Sequence, residues 1–358
     1  YQVALVDGDD VFSLHKLGDF TQPCDAFASG SEVVYHSWDS QIWTEELHHW
    51  SKGKLEFVWN AGSDWKPVPS EIASAEPLFQ PVLVGDNLYL PAANGAILRV
   101  DRHTGAAKAR ISPSGFGPIP YVTGPLVADA HGNVYYNVIS FLDPQPLSSD
   151  AKGWLVRVAP DDSVTVVSYD DLVTGAPTGQ NCHGTFAVMD PPPDLPWPPP
   201  PNPDGSQVVA PLVECGSQRP GINVAPAIAA DGTIITVSRA NFTSQDSFIV
   251  ALNPDLSTKW VTSLRGILND ACGVTVPSDG DPTNAPFDCR PGATPGVDRN
   301  TNLPPAGRII DESSSSPVAL PDGAVLYGAY TAYNGDRGHL IKFDPTGKPV
   351  GTYDFGWD

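Results

Sequence analysis

Nothing in this 358-residue chain approaches the ~18 consecutive apolar residues of a membrane-spanning helix, so no such span is encoded. Positive charge is scarce: 20 Lys and Arg stand against 41 Asp and Glu, for a net charge of −21. A chain this acidic repels phosphate backbones and anionic lipid surfaces, which leaves cations, basic proteins and neutral ligands as partners. Methionine occurs once, at Met189, and the chain opens on Tyr1, which reads as a processed or trimmed end with any signal peptide already removed. No CxxC pair is present, which disfavours zinc, and no Gly-x-Ser-x-Gly elbow marks a hydrolase.

Turn formers are abundant, with 33 Gly and 38 Pro beside a hydrophobic fraction of 41%. Both residues are costly inside helices, so the composition predicts many short strands joined by tight turns around a real core. Most of the acid is Asp rather than Glu, as turns and calcium loops require.

Five cysteines occur, at 24, 182, 215, 272 and 289. Cys182 and Cys215 bracket a Pro-rich loop, and Cys272 and Cys289 bracket a Pro/Gly/Asp-rich one. Cysteines at the ends of such insertions read as disulfide staples, each worth about 3 kcal/mol in the chain-entropy picture. An oxidising compartment follows, and with it a secreted, extracellular or periplasmic location. Cys24 is left over.

A repeat runs along the chain. Pro81-Val82-Leu83 leads to Asn87-Leu88-Tyr89, Pro125-Leu126-Val127 to Asn133-Val134-Tyr135, Pro226-Ala227-Ile228 to Thr233-Ile234-Ile235, and Pro317-Val318-Ala319 to Ala324-Val325-Leu326. Gly-containing turns separate the halves: Gly85-Asp86, His131-Gly132, Asp231-Gly232 and Asp322-Gly323. A second apolar strand follows in each, as in Ile97–Asp101, Leu155–Ala159, Ile249–Asn253 and Leu340–Asp344, and after a turn comes a further one. A looser copy begins at Val33-Val34-Tyr35 and ends near Trp59, and an N-terminal hairpin over 3–14 looks like part of another. A unit of about four strands cannot bury its apolar face alone, and stacked units bury it against one another. The chain is therefore expected to be all-β, a single β-propeller domain over 1–358 with insertions at about 170–222 and 265–313. A β-sandwich is the competing architecture. The Pro run at 191–201 reads as a stiff exposed loop, and a degenerate blade around Gln207–Ala210 is an option.

Gly95–Gly105 and Gly338–Lys348, each an apolar strand running into an Asp-x-x-x-Gly or Asp-Pro-Thr-Gly turn, resemble the repeat of the quinoprotein-dehydrogenase-like (PQQ-like) β-propellers. The resemblance covers most of 75–355. It implies four-stranded blades, of which five to six are recognisable here, whereas such propellers usually carry seven or eight; a truncated or proteolysed chain, or N-terminal strands that complete the last blade, would account for the difference. Enzymatic members hold a quinone with calcium at the channel, and the alcohol dehydrogenases add a disulfide between adjacent cysteines. This sequence has no adjacent pair, and Ala106–Ala109 and Pro349–Thr352 stand where the tryptophan-bearing docking motif would follow the turn. Both departures weigh against PQQ.

Ser278-Asp279-Gly280-Asp281-Pro282-Thr283-Asn284 and Asp288 place hard oxygen ligands in one stapled loop, so Asp279, Asp281, Asn284 and Asp288 form a candidate calcium set; a solvated polar turn is the competing reading. Asp311, Glu312 and Ser313 precede the Pro317 strand, which would put them at a channel mouth as a binding site. Trp38, Trp43, Trp50, Trp59 and Trp65 crowd one region, as blade packing or an aromatic platform for a glycan. His183 has no visible carboxylate or nucleophile beside it, and Asn241-Phe242-Thr243 is formally a glycosylation sequon. No catalytic set stands out. The expected function is a secreted, non-enzymatic propeller that binds a protein or glycan partner in an extracellular or cell-surface assembly; the alternative is a quinoprotein-type oxidoreductase.

Overall fold

The computed structural model describes residues 4–17, 42–69, 78–143, 149–281, 287–311, 315–331 and 337–356. Short apolar runs between Gly and Asp turns form antiparallel up-and-down sheets. The first sheet has β1 (Leu5–Asp7), β2 (Asp10–Leu17), β3 (Ile42–Ser51) and β4 (Lys54–Ser63) in sequential order. The second has β5 (Val82–Val84), β6 (Asn87–Pro91), β7 (Ile97–Asp101) and β8 (Ala107–Ile111). In the third, β10 (Val127–Ala128), β11 (Val134–Phe141), β12 (Ala151–Val158) and β13 (Val164–Ser168) follow one another, and β9 (Ile119–Val122) also pairs with β11. A two-stranded ladder of β14 (Cys182–His183) and β15 (Leu212–Val213) comes next. The fourth sheet orders β16 (Gln218–Arg219), β18 (Ile234–Ala240), β19 (Ser247–Leu252) and β20 (Thr258–Ser263), with β17 (Ala227–Ile228) between β16 and β18 in sequence. The fifth runs β21 (Val318–Ala319), β22 (Val325–Thr331), β23 (Arg337–Phe343) and β24 (Pro349–Gly356).

This is the blade architecture of a β-propeller, and each strong repeat of the sequence is one sheet. Pro81, Pro125, Pro226 and Pro317 each stand just ahead of a short opening strand, where a missing N–H breaks no ladder. The N-terminal hairpin and the looser copy, expected as parts of two repeats, are instead one sheet, because β2 pairs with β3 from Asp10–His49 to Leu17–Ile42. Val33–Tyr35, Cys24 and Trp38 lie outside the described residues.

The chain divides into two compact units. The first comprises Tyr1–Ser168, Ile222–Ile228 and Asp311–Ser313. Its core is one cluster running through three sheets, from Phe12, Trp43, Leu47 and Trp59 through Leu88, Leu90 and Val100 to Val134, Tyr136 and Val156. One contact shows how neighbouring sheets lock. Trp59 on β4 lies over Gly105 in the turn after β7, and its Nε1 donates to the Arg102 carbonyl at 2.9 Å. Gly105 has φ +69°, and a Cβ there would fall 2.7 Å from the indole. Only glycine meets both demands.

The second unit comprises Tyr169–Gly221, Ala229–Ile310 and Ser314–Asp358. It repeats that lock: Trp260 on β20 covers Gly347 (φ +83°) after β23, donating from Nε1 to the Pro345 carbonyl at 3.1 Å. Tryptophans thus dock one sheet on the next: no Trp follows the Gly105 or Gly347 turn itself, but Trp59 and Trp260 stand on the strand after the last turn of the preceding sheet and reach forward to those glycines. β18 and β19 are buried on both faces. The fifth sheet is covered on one face only, with Val325, Tyr327, Ala329 and Thr331 inward and the residues between them half-exposed.

The Asp excess is spent in turns. Asp101, Asp129, Asp161, Asp231, Asp255, Asp322 and Asp344 each accept a hydrogen bond from the backbone N–H two residues on, at 2.9 to 3.0 Å. Bonding of this kind, from the Thr233 N–H first, holds the Asp231 carboxyl down at about 2. Glu45 is the opposite case. It sits on β3 between Leu14 and Ala61, on the face that carries Trp43 and Leu47, and both of its oxygens are buried without a hydrogen-bond partner. Burial, with the negative charge of Glu46 second, pushes its carboxyl up to about 8.

The two groups act on stability with opposite sign. A carboxyl raised in the folded state costs nothing at low pH and destabilises as pH climbs from its unfolded value toward about 8, because only the unfolded chain ionises freely. The depressed turn carboxylates stabilise above their unfolded value and lose that contribution as pH falls toward about 2. Glu45→Gln should therefore gain on wild type between pH 4.5 and 8, by on the order of a few kcal/mol, when melts are compared across that range. Gly105→Ala should cost about 1–3 kcal/mol at any pH, read from the same melts.

Candidate functional site

The two insertions pack on one another in the second unit. Ala210 N–H donates to the Thr301 carbonyl at 3.1 Å, Phe186 N–H to that of Asn300 at 2.8 Å, and Asn302 Nδ2 to that of Val208 at 2.7 Å. The Pro run is exposed at Pro191, Pro192, Pro200 and Pro201, as composition suggested, but it is anchored between them. Pro198 and Pro199 are buried, Arg290 donates from its backbone to the Trp197 carbonyl at 2.8 Å and from Nε to that of Pro198 at 3.1 Å, and the Arg299 guanidinium lies over the Trp197 ring. Prolines cannot pair with each other, so their carbonyls take donors from the neighbouring insertion. Disulfides Cys182–Cys215 (Cα–Cα 5.1 Å) and Cys272–Cys289 (5.6 Å) join the pairs expected from the sequence, and all four cysteines are buried.

This subdomain holds the arrangement that sequence did not reveal. His183, beside the first disulfide, meets Asp246 from the loop between β18 and β19, 63 residues away. One Asp246 oxygen accepts from His183 Nδ1 at 2.7 Å, and the other accepts from the His183 backbone N–H at 2.7 Å. The carboxylate thereby fixes the ring's tautomer and rotation and leaves the Nε2 lone pair outward on a partly exposed side chain. Such an imidazole can accept a proton or ligate a metal, yet among the described residues no nucleophile or second ligand meets Nε2. Thr243 Oγ1 donates to the His183 carbonyl at 3.0 Å, and Asn241 Oδ1 accepts from Arg219 Nε at 2.7 Å, so the sequon residues are built into the same corner. Deeper in, Asp298 is buried among Arg265, Arg299 and Arg308; burial raises its carboxyl while these cations and the Asn300 N–H oppose the rise. Asp270 accepts from Thr275 Oγ1 at 2.5 Å and from Thr331 Oγ1, with His339 Nε2 3.7 Å away, and so ties the second insertion to the fifth sheet.

The residues singled out in advance fare unevenly. Asp279 and Asp281 are exposed, and Asp279 Oδ1 accepts the Asp281 N–H at 3.0 Å in a tight turn. Asp288 is buried with Oδ2 unpartnered, and its carboxyl is raised by burial and then by the charges of Asp279 and Asp281. Among the described residues no group of three or more His, Cys, Asp or Glu side chains converges to hold a metal ion, and Asn284 lies outside them. Asp311 is buried in the first unit, where Ile222 N–H approaches Oδ1 at 3.4 Å; Glu312 and Ser313 lie outside the described residues. Of the tryptophans, Trp43, Trp59 and Trp65 are core, and His48 and His49 diverge to opposite faces of β3.

Trp50 is the exception, and it belongs to a surface. β3 and β4 carry a bulge at Leu47/His48, which adds Val58 to β4. One extra residue reverses the alternation, so Trp59 points into the core while Phe57 faces out beside His48, ring centroids 5.8 Å apart. Val6, Val11, His48 and Phe57 form a cross-strand row, and Trp50 pairs with Leu55 next to it on the same face. Val6 is 62% exposed, Phe57 57%, Trp50 50% and Leu55 48%. Asp9, whose carbonyl accepts the Trp50 N–H, and Glu46, which shares the His48 face of β3, border the patch.

No protein-family model and no curated protein sequence matches the chain. Solved structures do show likeness. One titled a europium-containing methanol dehydrogenase is 9% identical, with a TM-score of 0.47 over 99% of this chain and 50% of its own. BamB from Moraxella catarrhalis is 11% identical, with a TM-score of 0.41 over 99% of this chain and 60% of its own. Quinohemoprotein alcohol dehydrogenase from Comamonas testosteroni is 10% identical, with a TM-score of 0.44 over 100% of this chain and 44% of its own. The chain thus spans about half the length of these structures.

Removing the Asp246 carboxylate strands a ring nitrogen and a backbone donor together, whereas removing the partly exposed imidazole strands little. Asp246→Ala should lower stability by about 1–3 kcal/mol and His183→Ala by less, in denaturant titrations of both. Cys182→Ser with Cys215→Ser should cost about 3 kcal/mol in the same titration.

Proposed function

We propose that the protein is a secreted, non-enzymatic binding module of an extracellular or cell-surface assembly, docking a partner on the outer face of its first sheet. The observation that carries this reading is the contiguous row of exposed Val6, Phe57, Trp50 and Leu55 on a sheet whose other face is core. Large apolar side chains clustered on a polar surface mark interaction sites, and aromatic ones supply the anchors. The acidic border and the net charge of −21 favour a partner with basic groups. Two disulfides support an oxidising compartment, and no helix among the described residues is long and apolar enough to cross a membrane. For the loop closed by Cys272–Cys289 we propose calcium, supported by the buried Asp288 carboxyl beside Asp279 and Asp281.

An environment-sensitive apolar dye tests the surface. Wild type should bind it, and Phe57→Asp with Trp50→Ser should abolish most of the signal while leaving the melt unchanged. Equal dye binding by both, or turnover of an alcohol with a dye acceptor once quinone and calcium are supplied, would overturn the reading. Calcium should raise the melting midpoint of chelator-treated wild type and leave that of Asp288→Asn unmoved, by mass action on the folded state.

A further inference from the structure

Resting on the calcium proposed for the loop closed by Cys272–Cys289, we infer that this ion fastens the two insertions together. Held by Ser278 and Asp288, it decides whether the Pro run of the first insertion stays covered by the second. Cys289 N–H donates to the Pro277 carbonyl at 2.7 Å, so Ser278 and Asp288 are the first and last residues of the loop that this bond closes. Each carries a buried side-chain oxygen with no hydrogen-bond partner, Ser278 Oγ and Asp288 Oδ2, and Asp288 is only 4% exposed. A serine hydroxyl beside a carboxylate ordinarily donates to it, and this one does not. Two such orphaned oxygens at one neck are hard ligands of the kind calcium takes, with Asp279 and Asp281 at the exposed rim. Burial first, and then the charges of Asp279 and Asp281, raise the Asp288 carboxyl, so an ionised loop repels itself unless a cation joins it. The cation that opposes them from the protein is Arg299, whose guanidinium lies over the Trp197 ring.

The segment that leaves Asp288 is the one that holds the Pro run. Arg290, two residues on, donates from its backbone to the Trp197 carbonyl and from Nε to that of Pro198. Its Nη1 donates to the Pro291 carbonyl at 2.7 Å, and its own carbonyl accepts the Ala293 N–H at 2.9 Å, which fixes the turn that presents it. Gly280 rests on this turn: at φ +81°, a Cβ there would fall 2.8 Å from Pro291 Cγ. An ion joining Ser278 to Asp288 therefore keeps Gly280 on Pro291 and Arg290 on the Pro run. Loss of the ion leaves Asp279, Asp281 and Asp288 in mutual repulsion, which opens the neck and loosens the bonds that cover Pro198 and Pro199. Those bonds belong to the same interface as the Ala210–Thr301 and Phe186–Asn300 bonds, so the whole contact between insertions is linked to the ion.

Amide hydrogen exchange of chelator-treated protein, with and without calcium chloride, tests this beside titration calorimetry of calcium itself. Opening that must release the ion is suppressed by mass action, about 100-fold at calcium 100 times its dissociation constant. Exchange at Arg290, Phe186 and Ala210 should slow by up to that factor, and exchange at Leu47 in the first sheet should not change. Asp288→Asn should give no calcium heat, and its amides should ignore the ion. Ser278→Ala should need more calcium for the same protection, which guards against a folding defect in the first variant. Arg290→Ala keeps every ligand, so it should still bind calcium while passing less protection to Ala210. Calcium heat from the wild type with no slowing at Arg290, Phe186 or Ala210 would overturn the fastening and leave the ion in its loop. No calcium heat from the wild type would overturn the calcium site itself, and this inference with it.

Discussion

An indole laid flat on a glycine of the next sheet, Trp59 on Gly105 and Trp260 on Gly347, is the contact around which the rest of the structure is arranged. A four-stranded sheet of this composition has apolar residues on both faces, and water would destabilise it if either were left bare. The tryptophan fixes how closely the following sheet approaches and how it is turned, because its ring needs a site with no Cβ and its N–H needs a carbonyl. The glycine in turn must sit at the end of an Asp-capped turn, where positive φ is natural. Repeat, turn chemistry and sheet packing are consequences of one fit.

Polar groups are tolerated inside this arrangement on unequal terms. Asp246, Asp270 and Asp298 are buried with donors or cations around them; the first two each tie an insertion to a neighbouring element, and Asp298 gathers the arginines of its own insertion. Their cost of burial is offset by bonds that also define the insertions' geometry. Glu45 has no such partners and stays protonated well above the usual carboxylate range. It sits on the core face of the sheet whose other face is the exposed aromatic one.

The bulge on β4 links fold to function. Were Val58 paired regularly instead of bulged, the side-chain alternation would carry Phe57 to the same face as Trp59, and one face would hold both aromatics. With the bulge, the strand supplies core and surface at once. The insertions play a different part, since they pack on each other and on the fourth and fifth sheets through carbonyl-directed arginines and asparagines.

The sequence by itself determined the blades, their turns and the disulfide pairs. Proline before each opening strand, Gly and Asp in the turns and apolar runs of strand length are local signals whose meaning does not depend on distant residues. It also foretold the Asp turns, for the same reason. Only the tertiary structure decided which distant groups meet: Asp246 with His183, Trp59 and Trp260 with glycines of the following sheets, and Arg290 and Arg299 with the Pro run. Spacing along the chain carries no record of such contacts. The merging of the N-terminal hairpin into the first sheet, and the turning of Phe57 outward, were likewise beyond pattern reading, because strand pairing and a one-residue bulge are settled by packing against neighbours rather than by the strand's own residues.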